Sequence, residues 1–523
     1  MFARVRSAGV IGVDAYPIDV EVDCLGGIGQ MHIVGLPDAA VKESQERVRS
    51  AIRSCSFILP PAKKWVVNLA PADTRKEGPA FDLPIAAGIL ASTGLISQEH
   101  LLSHWLVGEL GLDGTVRPVY GVLPIAIKCR ELGASGIIVP VENAAEACLV
   151  EGLKVYPVSH LKQATLILDN PRNGNEKFSD PRQVFAESVP HRASLLDFKD
   201  VKGQRNPKRA LQIAAAGRHN ILLVGPPGSG KSMLAERLPG IMPPLEFQEA
   251  LELTKLYSVA GLVDRSAGLV LERPFRAPHH SASAIGLIGG GRVPRPGEIS
   301  LSLYGILFLD ELTEFPRSHL DHLRQPLESS RVTISRATQT LTFPASFLFV
   351  GACNPCPCGY SGDNRLSCIC SNGQARRYWS KISGPILDRI DIHIIVPRLE
   401  EDELFDATEA ESSEALRFRV MRAWEMQKTR NIRKTGDGPG YCYNNHLSRQ
   451  QIRRFCALDS RSREILSRAA NQLCFSARAF DRVLRLARTI ADLDGSEAIL
   501  PNHMAESVHL RSKMPVGGQY GYI

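Results

Sequence analysis

Gly225-Pro-Pro-Gly-Ser-Gly-Lys-Ser232 decides the fold of this chain. The octapeptide satisfies G-x-x-x-x-G-K-[ST] in full. It lies between an apolar run at residues 220–224 and a helical run beginning at Met233, the strand–loop–helix setting the motif needs. Gly225, Gly228 and Gly230, with Pro226, Pro227 and Ser229 between them, let backbone N–H groups curl around phosphate oxygens at the positive end of a helix. Lys231 is placed to reach the β- and γ-phosphates of ATP, and the Ser232 hydroxyl to ligate Mg²⁺.

Further along, residues 305–309 (Gly-Ile-Leu-Phe-Leu) are continuously apolar, as expected for a strand buried on both faces of a parallel sheet. They end in Asp310-Glu311. A carboxylate pair at a strand's C-terminal edge can put Asp310 on the Mg²⁺ sphere and Glu311 beside the attacking water; the plainer alternative is a solvated strand end. A third apolar run, 347–350, leads into Cys353-Asn354-Pro355, where Asn354 can orient that water. A fourth, 392–396, follows Gly384-Pro-Ile-Leu-Asp-Arg389-Ile-Asp391. Strands alternating with helical segments around such a loop predict a doubly wound α/β core and a nucleotide hydrolase.

The chain has 523 residues and is 44% hydrophobic, enough for three or four domains with ordinary cores. Arg4 and Arg6 precede an apolar patch that Asp14 interrupts before it reaches signal-peptide length. The weakly polar run 83–96 is too short to span a bilayer. Twelve scattered cysteines then fit reduced thiols in a cytoplasmic protein with no membrane partner. Residues 417–513 hold 19 Lys/Arg against 9 Asp/Glu, so the net charge of +7 is concentrated there. A basic C-terminal module points to polyanion contact, or else to solvated helix faces. Just before it, residues 400–414 hold eight acids.

The expected organisation is an α/β unit at 1–168, a polar linker at 169–194, an ATPase core at 195–399, a helical lid at 400–513 and a frayed tail at 514–523. In the first unit, 16–22, 64–69, 136–139 and 154–158 read as strands and 39–52 as a helix. In the lid, Ser476 can N-cap a helix whose Phe480, Val483, Leu484, Ala487 and Ile490 form one apolar stripe, with Arg478, Arg482 and Arg485 on another face.

In this order the loop, Asp310-Glu311, Asn354 and the helical lid resemble an AAA+ P-loop NTPase. Asp197-Phe-Lys-Asp-Val-Lys-Gly-Gln204, Arg276-Ala-Pro-His-His280, Pro296-Gly-Glu-Ile-Ser-Leu301, Gly384-Pro-Ile-Leu-Asp-Arg389, Ser476-Ala-Arg-Ala-Phe480 and Ala487-Arg-Thr-Ile-Ala-Asp-Leu493 resemble the magnesium chelatase-like branch. The resemblance implies that Arg389 is an arginine finger reaching a neighbouring subunit's γ-phosphate, and that Arg478 senses the nucleotide of its own subunit. A finger between subunits implies a ring, here a homo-hexamer. Residues 331–336 and 340–343 alternate with period two and read as a hairpin, placed where related helicases carry a pore hairpin, so Arg331 and Arg336 are candidate DNA contacts. Residues 273–295, with Gly289-Gly-Gly291, resemble an inserted loop facing the same pore. His279-His280 lack the i, i+4 spacing of a helical metal pair.

Lys76-Glu-Gly-Pro-Ala80 and residues 133–143 resemble the Lon protease domain, a ribosomal S5 domain 2-like fold with a Ser–Lys dyad. Here the serine's place holds Ala80 and the lysine's holds Leu123, which supply neither nucleophile nor base. Only a shifted alignment would bring in Ser92 or Lys128, so no protease is expected. Cys356-Pro-Cys358 and Cys368-Ile-Cys370 can surround a structural Zn²⁺, or stand as free cytosolic thiols.

With the N-terminal unit attached, the chain resembles the bacterial competence proteins of this branch. That resemblance implies an ATP-dependent DNA translocase or helicase on single-stranded or branched DNA. It would promote branch migration in homologous recombination, as in natural transformation, with other recombination proteins as further partners. The alternatives are a magnesium chelatase-type motor subunit and an ATP-dependent protein remodeller.

Overall fold

A computed structural model describes the chain apart from residues 28–29, 62, 178–179, 189–195, 265–267, 292–293, 336–339, 401–409, 433–441, 512–513, 517–518 and 522–523. Arg336 and most of the acidic run at 400–414 therefore lie outside the described residues. The α/β architecture read from the sequence is the one found, in two compact units.

The first unit comprises Met1–Pro190 with Ala250–Leu271 and Gly291–Arg295. Its long strands Phe2–Ile11 and Asp14–Gly26 pair antiparallel; Lys63–Ala70 adds to the second, and Met31–Val34 runs parallel at the edge. Alternation puts Ala3, Val5, Ile18, Val20 and Val22 inward. The helix Ala39–Ser54, capped by Asp38, adds Val41, Val48, Ala51 and Ile52 to the same core. The apolar run near residue 83 is the core helix Asp82–Ser92, buried all round. Its one buried acid, Asp82, is held by Arg47 at 2.7 Å. A parallel three-stranded sheet follows, from His104–Leu106, Gly136–Pro140 and Lys154–Val158.

The partition differs from the sequence boundaries. Residues 250–271, expected in the ATPase core, belong to the first unit. Ser258 Oγ donates to Glu146 Oε2 at 2.6 Å, and the Gly121 N–H donates to Ser258 O at 3.0 Å. These partners lie more than a hundred positions apart, beyond any local pattern. The expected linker carries the helix Pro181–Ser188, and the expected frayed tail pairs Met514–Val516 with Gln519–Gly521.

The second unit is built on a five-stranded parallel sheet. Its order is Phe275–Arg276, Ile306–Leu309, Leu348–Cys353, Ile221–Val224, Ile392–Ile395. Alternate residues go to opposite faces: Ile221, Leu223, Ile306 and Phe308 pack in one cluster, Leu222, Val224, Leu307 and Leu309 in the other. Both faces are covered, which is why these strands read as unbroken apolar runs. The P-loop strand Ile221–Val224 has a later strand on each side, so its C-terminal edge is the topological switch point where α/β sheets bind ligands.

The helices Ser413–Arg430, Arg449–Phe455, Ser460–Gln472, Ala477–Leu493 and Pro501–His509 form the lid; Ser412, Ser448, Asp459 and Ser476 cap the first four. Val483, Leu484, Ala487 and Ile490 are buried as the stripe predicts, whereas Phe480, in the first turn, stays 38% exposed. Among the described residues no helix is long and apolar enough to cross a membrane.

Candidate active site

The P-loop has its geometry for steric reasons. A Cβ on Gly225 would stand 2.2 Å from Val396 O, and Gly228 and Gly230 have φ of +76° and +87°, where glycine is favoured. The loop delivers the chain into the helix Lys231–Arg237. Lys231 Nζ donates to Gly225 O at 2.8 Å, to Pro226 O at 2.9 Å and to Asn354 Oδ1 at 3.3 Å. Burial pulls its pKa down, opposed by the charges of Asp310 and Glu311. The ammonium thus rests on loop carbonyls, poised to exchange them for phosphate oxygens.

Ser232 Oγ donates to Asp310 Oδ2 at 2.6 Å, joining the two expected Mg²⁺ ligands across the switch point. A hydroxyl and a carboxylate are the hard oxygen donors that Mg²⁺ takes beside nucleotide phosphates. Asp310 Oδ1 accepts from the Glu311 N–H at 2.8 Å. Glu311 has φ of +48°, a conformation costly for a side-chain-bearing residue and found at functional turns. Its carboxylate faces solvent, with Oε2 3.4 Å from His280 Nδ1. The sequence marked His280 only as an unconvincing metal ligand; here it pairs with Glu311 and stacks on His279 at 4.0 Å.

The two arginines converge elsewhere. Glu328 accepts from Arg389 Nη2 through Oε2 and from Arg478 Nη2 through Oε1, the latter at 3.1 Å. Arg389 also donates to Pro385 O at 2.6 Å. Hydrogen bonding from Arg389, with the charge of Arg478, holds the Glu328 carboxyl below the usual range. Arg389 and Arg478 therefore share one face, whereas Lys231, Ser232, Asp310 and Asn354 are joined to one another on the P-loop side. The Arg389 backbone is pinned: its carbonyl accepts from Asn220 Nδ2 and Arg482 Nη1, both at 3.0 Å. Asp391, two residues on, is buried; burial opposes its charge, but Arg482 and His219 outweigh it and keep the carboxyl well below its ordinary range. Glu328, an acid on a short helix, has no spacing signal that could have marked it.

The hairpin forms as expected, Arg331–Ser335 against Thr340–Pro344. Val332, Leu341 and Phe343 are buried, leaving Arg331, Thr333 and Thr342 exposed on the opposite face. In the lid, Arg482, Arg485 and Arg488 are spent on internal partners rather than forming a free basic face. Among the described residues, the exposed basic side chains there include Arg449, Arg453, Arg454, Arg461, Arg463 and Arg468.

The four cysteines gather as their spacing allows. All four sulfurs lie within 4.8 Å of one another, with Cys356–Cys358 at 3.3 Å and Cys368 3.6 Å from each. Sulfurs of a Zn–S₄ tetrahedron, with Zn–S near 2.3 Å, stand ~3.8 Å apart, so the cage has the right size. Cys370 Sγ accepts from the Cys358 N–H, and Cys368 Sγ from the Cys370 N–H, both at 3.4 Å. Burial disfavours the Cys358 thiolate, but backbone N–H donors outweigh it and bring the thiol down to about 6.

The N-terminal residues weighed as a protease dyad have other surroundings. Leu123 is buried in the core, Ser92 Oγ donates to Ile89 O at 2.8 Å, and Lys128 pairs with Glu131 at 2.6 Å. The buried Lys76 is occupied by Pro71 O and Thr74 O.

Comparison with known proteins agrees with this anatomy. Residues 197–404 match the family described as magnesium chelatase, subunit ChlI; residues 20–143 and 410–511 match the families described as subunit ChlI of Mg-chelatase and its C-terminal part. The chain is 43% identical to competence protein ComM of Haemophilus influenzae, over 98% of this chain and 97% of that protein. It is 41% identical to the uncharacterised protein YifB of Escherichia coli, over 97% and 96%. A partial match, 28% identical over 30% of this chain, reaches the Lon protease of Halothermothrix orenii.

Proposed function

The chain belongs to the ComM/YifB family of magnesium chelatase-like AAA+ proteins, and from that premise we propose that it is an ATP-driven hexameric motor that translocates on DNA and promotes branch migration. Its ATP and Mg²⁺ site would be Lys231, Ser232 and Asp310, with Glu311 polarising the water and Asn354 orienting it. One observation carries the reading: Arg389 sits with Arg478 on Glu328 instead of with the P-loop residues of its own chain. A guanidinium that completes charge stabilisation from a different face is suited to a neighbour's γ-phosphate, which requires a ring. Arg478, bound to the same carboxylate, would sense the nucleotide of its own subunit.

DNA as the client is supported by the exposed Arg331 and polar face of the hairpin, the basic helices at Arg449–Phe455 and Ser460–Gln472, and the likeness to a Haemophilus influenzae protein named for competence. Cytoplasmic recombination during uptake of foreign DNA is the setting, with other recombination proteins as further partners. The cysteine cluster would hold one structural Zn²⁺.

The test is ATP hydrolysis by the full chain with and without single-stranded and branched DNA, beside Glu311→Gln. The expected result is DNA-stimulated turnover that the variant abolishes while still binding ATP. Turnover indifferent to DNA would overturn the motor's client. Dependence on a large partner subunit would then favour the chelatase reading, and stimulation by unfolded protein a remodeller.

A further inference from the structure

The four cysteines lie against the nucleotide site. Cys356 follows Asn354 by two residues, at the end of the sheet strand Leu348–Cys353. Pro355, between them, is held by Trp379, whose Nε1 donates to Pro355 O at 3.0 Å. The chain then turns at Gly359, whose N–H donates to Cys356 O at 2.9 Å. Gly359 has φ of +87°, and a Cβ there would stand 2.7 Å from Pro227 Cδ: the cysteine loop packs directly on the P-loop.

Beyond that contact the loop walls a cavity of about 170 Å³, with Ser361–Arg365 on one side and Val224, Gly225 and Pro226 on another. Asp363 is aimed at this space with its side chain 1% exposed. Its Oδ1 accepts from the N–H groups of Arg365 and Leu366, while its Oδ2 has no hydrogen-bond donor and lies 3.6 Å from Arg398 Nε. The loop between the two C-x-C pairs has no strand or helix of its own until Asn372. Cross-linking at its two ends is what can hold such a segment against the P-loop.

We propose that a zinc-class ion on Cys356, Cys358, Cys368 and Cys370 clamps the wall of the nucleotide site, so that nucleotide affinity depends on metal occupancy. The proposal rests on the zinc reading above and adds a role to it. Thiolate coordination ties the segment after Asn354 to the far end of the loop. Releasing the ion frees Gly359 from Pro227 and opens the cavity, without touching Lys231, Ser232 or Asp310.

The experiment uses the full chain purified in reducing buffer. Bound zinc is counted by elemental analysis. A fluorescent ATP analogue is then titrated before metal release by an organomercurial with a chelator, after it, and after thiol regeneration with Zn²⁺. One zinc per chain is expected, with affinity falling at least ten-fold on release and recovering on reloading while far-UV circular dichroism is unchanged. Cys368→Ser, at an exposed corner of the cage, should show the same loss; should it not fold, the reversible titration of the wild-type chain decides. Zinc released with affinity unchanged would overturn the clamp and leave the zinc site standing. Absence of bound zinc and of zinc uptake would overturn both.

Discussion

The P-loop side and the arginine side of the second unit are opposite kinds of site. On the first, two hydrogen-bonded pairs, Lys231 with Asn354 and Ser232 with Asp310, meet at adjacent residues of the P-loop inside one chain. On the second, the Nη2 atoms of Arg389 and Arg478 both donate to an acid of their own chain, Glu328. The difference separates a cluster that lies around the P-loop from a pair of arginines held apart from it on Glu328; in the motor proposed above, the first would bind the nucleotide and Arg389 of the second would await a neighbour's.

The largest effect should come from the arginine side. Arg389→Ala is expected to lower kcat by about 10³- to 10⁵-fold, the range for arginine fingers, with the subunit's own ATP affinity intact. Mixing it with Lys231→Ala subunits should recover part of the rate. Hydrolysis assays on mixed rings check this, and no recovery at any ratio would break the comparison.

Lys231→Ala should reverse the pattern. Removing a buried charge from its phosphate partners costs about 3 kcal/mol, or ~10²-fold in affinity, readable by nucleotide titration. Affinity within two-fold of wild type would contradict the P-loop assignment.

Glu328→Gln sharpens the contrast further. If the carboxylate competes with phosphate, weakening an exposed ion pair should raise basal turnover about two- to five-fold without changing ATP affinity. A slower variant would mean that Glu328 positions the arginines instead of restraining them.

The smallest effect is on stability. The folded Asp391 carboxyl is depressed below its unfolded value of about 3.9. Its contribution is therefore present above that pH and fades as pH falls through the depressed folded value. Denaturant unfolding between pH 7 and 2 should show Asp391→Asn less stable near neutrality but with a shallower decline below about pH 4. Parallel declines would remove Asp391 from the support of Arg389.

Chemistry carried by contiguous residues was legible without coordinates. A phosphate loop needs its glycines and its lysine at fixed offsets, because backbone N–H groups and one ammonium must reach a single pyrophosphate. Strands buried on two faces must read as apolar runs, because each successive side chain enters a core. The sequence by itself therefore determined the P-loop, Asp310 at the end of a second apolar strand, two further strands of the core sheet and the two hairpin strands.

Only the tertiary structure decided what depends on non-local approach. It assigned residues 250–271 to the first unit through Ser258 and Glu146, whose separation along the chain hides their pairing. It joined His280 to Glu311, and Arg389 to Arg478 through Glu328, an acid with no motif around it. It laid the cysteine loop on Pro227. Hydrogen bonds and ion pairs are fixed by distance in space, and chain spacing predicts that distance only within a turn, a hairpin or a strand.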